Sequence, residues 1–317
     1  MINIGSLTLR QLRYFEALAR HAHFGRAAQA CAVTQPALSV QIRELEETLG
    51  LKLFERGARE VRLTGFGEAF AGRVREILRA VDELGELARS ARGGLAGILR
   101  LGIIPTIAPY LLPAVVAALG RSWPGLDIRL RETMTMNLID ELKDGRLDAA
   151  IVALPVSEPS LSETALFSEP FMLVRPLSEA DRPVPDGAGL RQMRLLLLEE
   201  GHCFRDQALS FCNAGAALPR ETLDASALST LVQMVAAGLG VTLIPEMAVP
   251  VETRSATVSV ARFPAPEPGR TVGMIWRRSS PLGVQLGEIA ELVRRVAGRR
   301  AGAPGVPTMP QTRPARR

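Results

Sequence analysis

The sequence predicts an α/β protein in consecutive parts: an all-α helix-turn-helix module with a β-wing, a long linking helix, and a two-lobed α/β domain. Three observations predict it. Apolar residues recur at helical spacing around a short turn in the first 50 positions. Seven apolar residues then follow at near-heptad steps over residues 66–87. From about residue 97 onward, strand-sized and helix-sized apolar patterns alternate. A chain of 317 residues is also too long for one compact core.

Leu9, Leu12, Phe15 and Leu18 recur at three-residue steps, which predicts an amphipathic helix over residues 9–21. A short second helix is expected over 25–31, with Ala27, Ala28 and Cys31 facing inward. Thr34 is a good N-cap and Gly50 a good left-handed stop for a third helix over 35–49. Leu38, Ile42, Leu45 and Leu49 form its apolar stripe, while Pro36, Ser39, Val40 and Arg43 gather on another face. Two short helices, a brief turn and a helix with small polar and basic residues on its outer face describe a helix-turn-helix. Two apolar/charged pieces around Gly57 then read as a wing, on which Lys52, Arg56, Arg59 and Arg62 would meet phosphates. Glu44, Glu46 and Glu47 on the third helix argue against indiscriminate DNA affinity. An unrelated three-helix module with solvated charges would show the same periodicity.

Thr64 could cap a helix over residues 65–92. Phe66, Phe70, Val74, Ile77, Val81, Leu84 and Leu87 would form one seam along it, best buried by a second copy. After the linker-like Ala91-Arg92-Gly93-Gly94, the pattern reads as strand 98–104, helix 107–120, strand 126–130, helix 136–144 and strand 149–154. A second series runs through 171–174, 195–198, 232–237 and 241–244, followed by a strand at 271–276 and a closing helix at 284–297. This predicts a mostly parallel sheet with helices on both faces. The expected domains are 1–64 (DNA binding), 65–92 (linker and dimerisation) and 97–298 (sensor). In the sensor, one lobe takes 97–166 with 269–298 and the other 167–268; 299–317, rich in Pro, Gly and Arg, is expected to be disordered. Ligands in such folds sit beyond the carboxyl ends of strands, in the crevice between lobes. Thr106 and His202 both fall there, though a threonine there can equally be a helix cap.

Bulk charge is a poor guide. The net charge is +5, but seven arginines and no acid follow residue 291; residues 1–291 carry 31 basic and 33 acidic side chains. No run approaches a membrane span, and the N-terminus lacks a secretory pattern. Three cysteines make no disulfide framework, so a reducing cytoplasm is expected. Two of them, Cys203 and Cys212, lie nine positions apart, the first beside His202 and near Arg205. A thiol attacks only as thiolate, which positive neighbours favour. Were the segment helical, nine steps would separate the two backbones by roughly 13 Å, whereas a disulfide needs Cα atoms within about 7 Å. The pair is therefore either a switch that must unwind structure to close, or two buried small apolar residues.

The block Phe24-Gly25-Arg26-Ala27-Ala28-Gln29-Ala30-Cys31, the run from Thr34 to Gly50 and Leu53-Phe54-Glu55-Arg56 resemble the LysR-type transcriptional regulators. The run from Gly102 to Pro113, the run from Leu198 to Cys212 and the run from Met234 to Pro245 resemble the peroxide-sensing members of that family. The resemblance spans about residues 8–297. It implies that Cys203 is the peroxidatic cysteine and Cys212 its resolving partner. It places Thr106, Thr135, His202 and Arg270 where peroxide and the activated sulfur are held, and Gln35, Pro36, Ser39 and Arg43 on the DNA-reading face. Gly65-Phe66 and Gly269 depart from the family pattern, as does the arginine-rich tail.

The implied partners are double-stranded promoter DNA, RNA polymerase, hydrogen peroxide as signal, a thiol-reducing system for reset, and further copies of the chain as a homodimer or homotetramer. Neither metal nor cofactor is expected, no membrane is involved, and the protein is not an enzyme. A regulator for a small organic ligand and a peroxide-destroying thiol enzyme are the rival readings. A periplasmic binding protein shares the two-lobed pattern but would need an export signal.

Overall fold

The computed structural model describes residues 7–56, 61–90, 97–212 and 224–301. The chain divides into two compact units, Met1–Ala91 and Arg92–Arg317.

In the first unit, α1 (Leu9–His21), α2 (Phe24–Ala30) and α3 (Gln35–Leu49) precede the strands β1 (Phe54–Arg56) and β2 (Val61–Leu63) and the helix α4 (Gly65–Ser90). Each start has a chemical cause. Thr8 and Gln11 close a capping box on α1, His23 Nδ1 accepts from the Gly25 and Arg26 amides at the start of α2, and Thr34 caps α3. Gly50, at φ +69°, ends α3 in the left-handed conformation. The stripe Leu38, Ile42 and Leu45 is buried with Leu12, Phe15 and Leu18 in one core, and the wing is an antiparallel pair, Phe54 opposite Leu63.

Two expectations change here. Glu46 is not a surface acid: it is 2% exposed, and its carboxylate accepts from the Leu53 and Phe54 amides at 3.0 and 3.3 Å and from Lys52 at 2.8 Å. Burial alone would raise its carboxyl, but these donors outweigh it and hold it below the usual carboxylate value. The α4 seam is also partly used within the chain. Val74 is buried and Phe70 packs edge-on against Phe15, 5.1 Å between rings, because α4 closes the helix-turn-helix core. Phe66, Ile77 and Leu84 stay exposed, Leu84 by 66%.

The second unit opens with β3 (Gly97–Ile103), α5 (Ala108–Ser122), β4 (Leu126–Glu132), α6 (Thr135–Lys143) and β5 (Ala149–Leu154). The strand β6 (Leu161–Pro176) follows, then α7 (Gly187–Arg191), β7 (Leu197–Leu198), α8 (Cys203–Phe211) and β8 (Asp224–Ala225). The unit ends with α9 (Leu228–Ala236), β9 (Thr242–Pro245), α10 (Val249–Glu252), β10 (Val258–Arg262), β11 (Gly269–Arg277) and α11 (Gly283–Ala301). Only part of the sheet matches the parallel expectation. β3 runs parallel to β4 and β5, but β11 is antiparallel to both β5 and β6, and β6 is antiparallel to β9 and β10.

The physical reason is β6, a 16-residue strand that begins in the first lobe and ends in the second. Its first part pairs β11 and its last residues pair β9 and β10, so β6 itself crosses between the lobes, beside the start of β11. Two apolar cores result: one around Leu101, Ile103, Ile151, Met274 and Leu286, the other around Phe171, Leu197, Phe204, Val232 and Ile244. The helix α11 runs to Ala301, three residues into the segment expected to be disordered; residues 302–317 lie outside those described.

Candidate functional site

A small cleft lies between the end of β3 and the start of α8, lined by Ile104, Pro105, Thr106, Met134, Thr135, Gly201, His202 and Cys203. Its empty space is about 180 Å³ including the mouth. Four of the six side chains expected to work on a peroxide line it: Thr106, Thr135, His202 and Cys203. Arg270 stands one layer behind, and Cys212 does not belong to the cleft.

Cys203 is the first residue of α8 with His202 as N-cap, so it sits where backbone N–H groups lack helical acceptors. It is half-buried and packs against the first lobe's core. Cys212 caps the other end of the same helix, is 1% exposed and lies inside the second lobe's core. Both thiols are free. The unbroken helix between them sets nine steps of ~1.5 Å, roughly 13 Å, between their backbones. Burial pushes the Cys212 thiol above its ordinary pKa, with the Arg191 charge partly opposing.

Around Cys203 the polar groups are arranged with little slack. His202 is buried, its Nε2 3.9 Å from a Glu199 carboxylate oxygen. Burial holds its pKa below the ordinary histidine value, against the pull of Glu199, so the ring is neutral at pH 7. The Thr135 hydroxyl is buried and, among the described residues, has no hydrogen-bond partner. A buried hydroxyl left unmatched beside a thiol is a ready donor or acceptor for a small polar guest. Thr135 does not cap α6: Met134 is the N-cap and Thr135 the first helical residue. The Thr106 hydroxyl accepts from Arg270 Nη1 at 2.8 Å and the Thr106 carbonyl from Nη2 at 3.0 Å.

Four residues of the site have no role assigned from the sequence, although Gly201 and Phe204 lie in the run from Leu198 to Cys212. Glu169 pairs with Arg270 across 101 positions. Phe204 places its ring 5.8 Å below the Arg270 guanidinium. Met134 and Gly201 face each other at the mouth: Gly201 adopts φ +95°, and a Cβ there would lie 2.7 Å from the Met134 sulfur. The glycine at 269, noted as a departure, also has a cause. A Cβ at that position would stand 2.6 Å from the Glu169 carbonyl oxygen.

In the first unit, Gln35, Pro36 and Arg43 are exposed on α3 and Ser39 is half-buried. Arg62 lies exposed on β2, and Lys52 is held by Glu46 with most of its surface still in solvent. Arg56 ends β1, and Arg59 lies outside the described residues. Cys31 packs against the helix-turn-helix core, and burial raises its pKa, as does nearby Glu16, with Arg20 opposing.

Comparison with known proteins gives this geometry a setting. Residues 9–68 match the signature described as bacterial regulatory helix-turn-helix protein, lysR family, and residues 92–298 match the LysR substrate binding domain. The chain is 45% identical over 292 residues to a probable hydrogen peroxide-inducible genes activator of Streptomyces viridosporus, covering 90% of this chain and 93% of that protein. It is 41% identical over 290 residues to the DNA-binding transcriptional dual regulator OxyR of Escherichia coli K12, covering 91% and 95%. A hydrogen-peroxide-bound cysteine-to-serine mutant of Corynebacterium glutamicum OxyR superposes with a TM-score of 0.64 at 35% identity, covering 92% and 93%. No helix among the described residues is long and apolar enough to cross a membrane. The protein therefore belongs to the LysR family of bacterial helix-turn-helix transcriptional regulators, and within that family it is similar to OxyR.

Proposed function

We propose that this protein is a peroxide-responsive transcriptional regulator whose switch is a disulfide between Cys203 and Cys212. One observation carries the reading: the two thiols stand at opposite ends of one intact helix, Cys203 packed against the first lobe's core and Cys212 inside the second's, with Cys203 lining the small cleft. The similarity to peroxide-inducible activators supports it.

In the first step the Cys203 thiolate attacks one peroxide oxygen. The O–O bond breaks, Cys203 becomes a sulfenic acid, and the departing hydroxide takes a proton to leave as water. Thr106 and Thr135 hold the peroxide, neutral His202 offers one ring nitrogen as donor or acceptor, and Arg270 acts through Thr106. In the second step the Cys212 sulfur displaces water from the Cys203 sulfenic acid, forming the S–S bond. Closure needs Cα atoms within about 7 Å, so α8 must unwind and at least one cysteine must leave its core. That rearrangement is the signal.

The readout follows from the family. Gln35, Pro36, Ser39 and Arg43 read base edges, and Lys52, Arg56, Arg59 and Arg62 contact phosphates of promoter DNA. Residues 1–64 bind DNA, 65–92 link and dimerise through the exposed face of α4, and 97–298 sense. Two or four copies then hold half-sites whose spacing the refolded α8 changes. The bound protein acts on RNA polymerase in the cytoplasm, a cellular dithiol resets it, and it reacts once per reduction rather than turning over as an enzyme.

Mass spectrometry after one equivalent of hydrogen peroxide tests the reading. A Cys203–Cys212 bridge is expected, with loss of the bridge in Cys203→Ser. Two free thiols while promoter contacts still change would overturn it.

A further inference from the structure

Glu169 and Arg270 stand directly opposite each other where β6 crosses between the lobes and β11 begins. Arg270 Nε donates to Glu169 Oε1 at 2.8 Å and Nη2 approaches the same oxygen at 2.6 Å. The arginine side chain is fully buried and the glutamate 6% exposed. The second carboxylate oxygen accepts the Met247 amide at 3.3 Å, so Glu169 is itself fixed to the turn after β9.

A guanidinium has five N–H donors in a rigid fork. Here Nε and Nη2 serve Glu169, Nη2 also serves the Thr106 carbonyl, and Nη1 serves the Thr106 hydroxyl. Phe204, the residue after Cys203, covers one face of the plane. An arginine so engaged is not arranged to grasp peroxide itself. Its effect is on Thr106: because that oxygen accepts from Arg270, its own hydrogen is turned away from the arginine.

We propose that Glu169 is the positioning residue of this site: its carboxylate sets the plane of Arg270, and Arg270 in turn fixes the Thr106 hydroxyl for the departing peroxide oxygen. The inference rests on the peroxide reading above. It assigns the buried ion pair a rate-setting role, where a purely structural pair would support the crossover and nothing more.

Two rate constants measured on the reduced full-length protein test it: oxidation of Cys203 by hydrogen peroxide and alkylation of Cys203 by iodoacetamide. Both need an accessible sulfur, but only peroxide needs a donor at its leaving oxygen. Glu169→Gln is expected to slow oxidation roughly tenfold or more and to leave alkylation unchanged, with Glu169→Asp recovering part of the loss. Oxidation at the unaltered rate in Glu169→Gln, or equal slowing of both reactions, would overturn the role. Should Glu169→Gln not fold, the pair Glu169→Leu with Arg270→Met leaves no orphan charge and carries the test. This double variant is expected to oxidise at least tenfold more slowly than the unaltered protein with alkylation unchanged; oxidation at the unaltered rate would show that the pair does not set the rate. Failure of the unaltered protein to oxidise at Cys203 would instead remove the peroxide reading itself.

Discussion

The two units of this protein satisfy their buried charges over very different reaches of chain. In the DNA-binding unit, Glu46 is matched by donors six to eight residues away, at the start of the wing. In the regulatory unit, Arg270 is matched by Glu169 at 101 positions and by Thr106 at 164. The first arrangement forms whenever a local helix and turn form. The second exists only when β6, β11 and the end of β3 have been brought together. A charge held locally needs only its own helix and turn; a charge held across the fold needs the whole of the regulatory unit.

Breaking each end of that comparison gives distinct outcomes. The largest expected effect is chemical. Thr106→Val removes the hydroxyl beside Cys203 and leaves an Arg270 donor unmatched. Cys203 oxidation should slow by about a hundredfold in stopped-flow assays, with the thermal midpoint of the DNA-binding unit unmoved. Next comes Glu46→Ala, which strands two buried amides. Denaturant unfolding should show that unit losing about 2–3 kcal/mol, while Cys203 reacts with peroxide as before. Thr34→Ala is smaller, about 1 kcal/mol from the lost N-cap of α3, read in the same experiment.

The pH dependence sharpens the contrast with the smallest effect. His202 has its folded pKa below the unfolded value of about 6.5. The unfolded chain then binds the proton first, so the regulatory unit loses stability as pH falls from about 6.5 toward the folded pKa. Glu46 behaves differently. Its folded pKa is depressed, so its contribution is present above the unfolded value of about 4.3 and is lost as pH falls through the folded value. Mild acid should therefore lower the thermal midpoint of the regulatory unit before that of the DNA-binding unit. The reverse order would show that these two groups do not govern the response.

The same difference in reach explains what the sequence disclosed. Thr34, Gly50 and the Leu38–Ile42–Leu45 stripe mark α3 because capping and amphipathicity act within a few residues. His23 escaped notice as a cap because a histidine is not a usual one, although its imidazole accepts two amides. Cys203 and Cys212 were legible through their spacing and through resemblance. Glu169 was not, because β6 has an irregular inside-outside pattern and was expected only from residue 171. Its partner lies on a strand a hundred residues later, and no local pattern records that pairing. The antiparallel half of the sheet is not legible for the same reason: the direction of β11 is decided by its distant partners β5 and β6, not by the residues within it.

Hydrogen exchange across residues 203–212, before and after one equivalent of peroxide, tests the central claim most directly. Intact α8 in the reduced protein should protect these amides, and protection should fall as the Cys203–Cys212 bridge appears, while α5 and α11 keep theirs. A bridge that forms with the helix amides still protected would contradict the account.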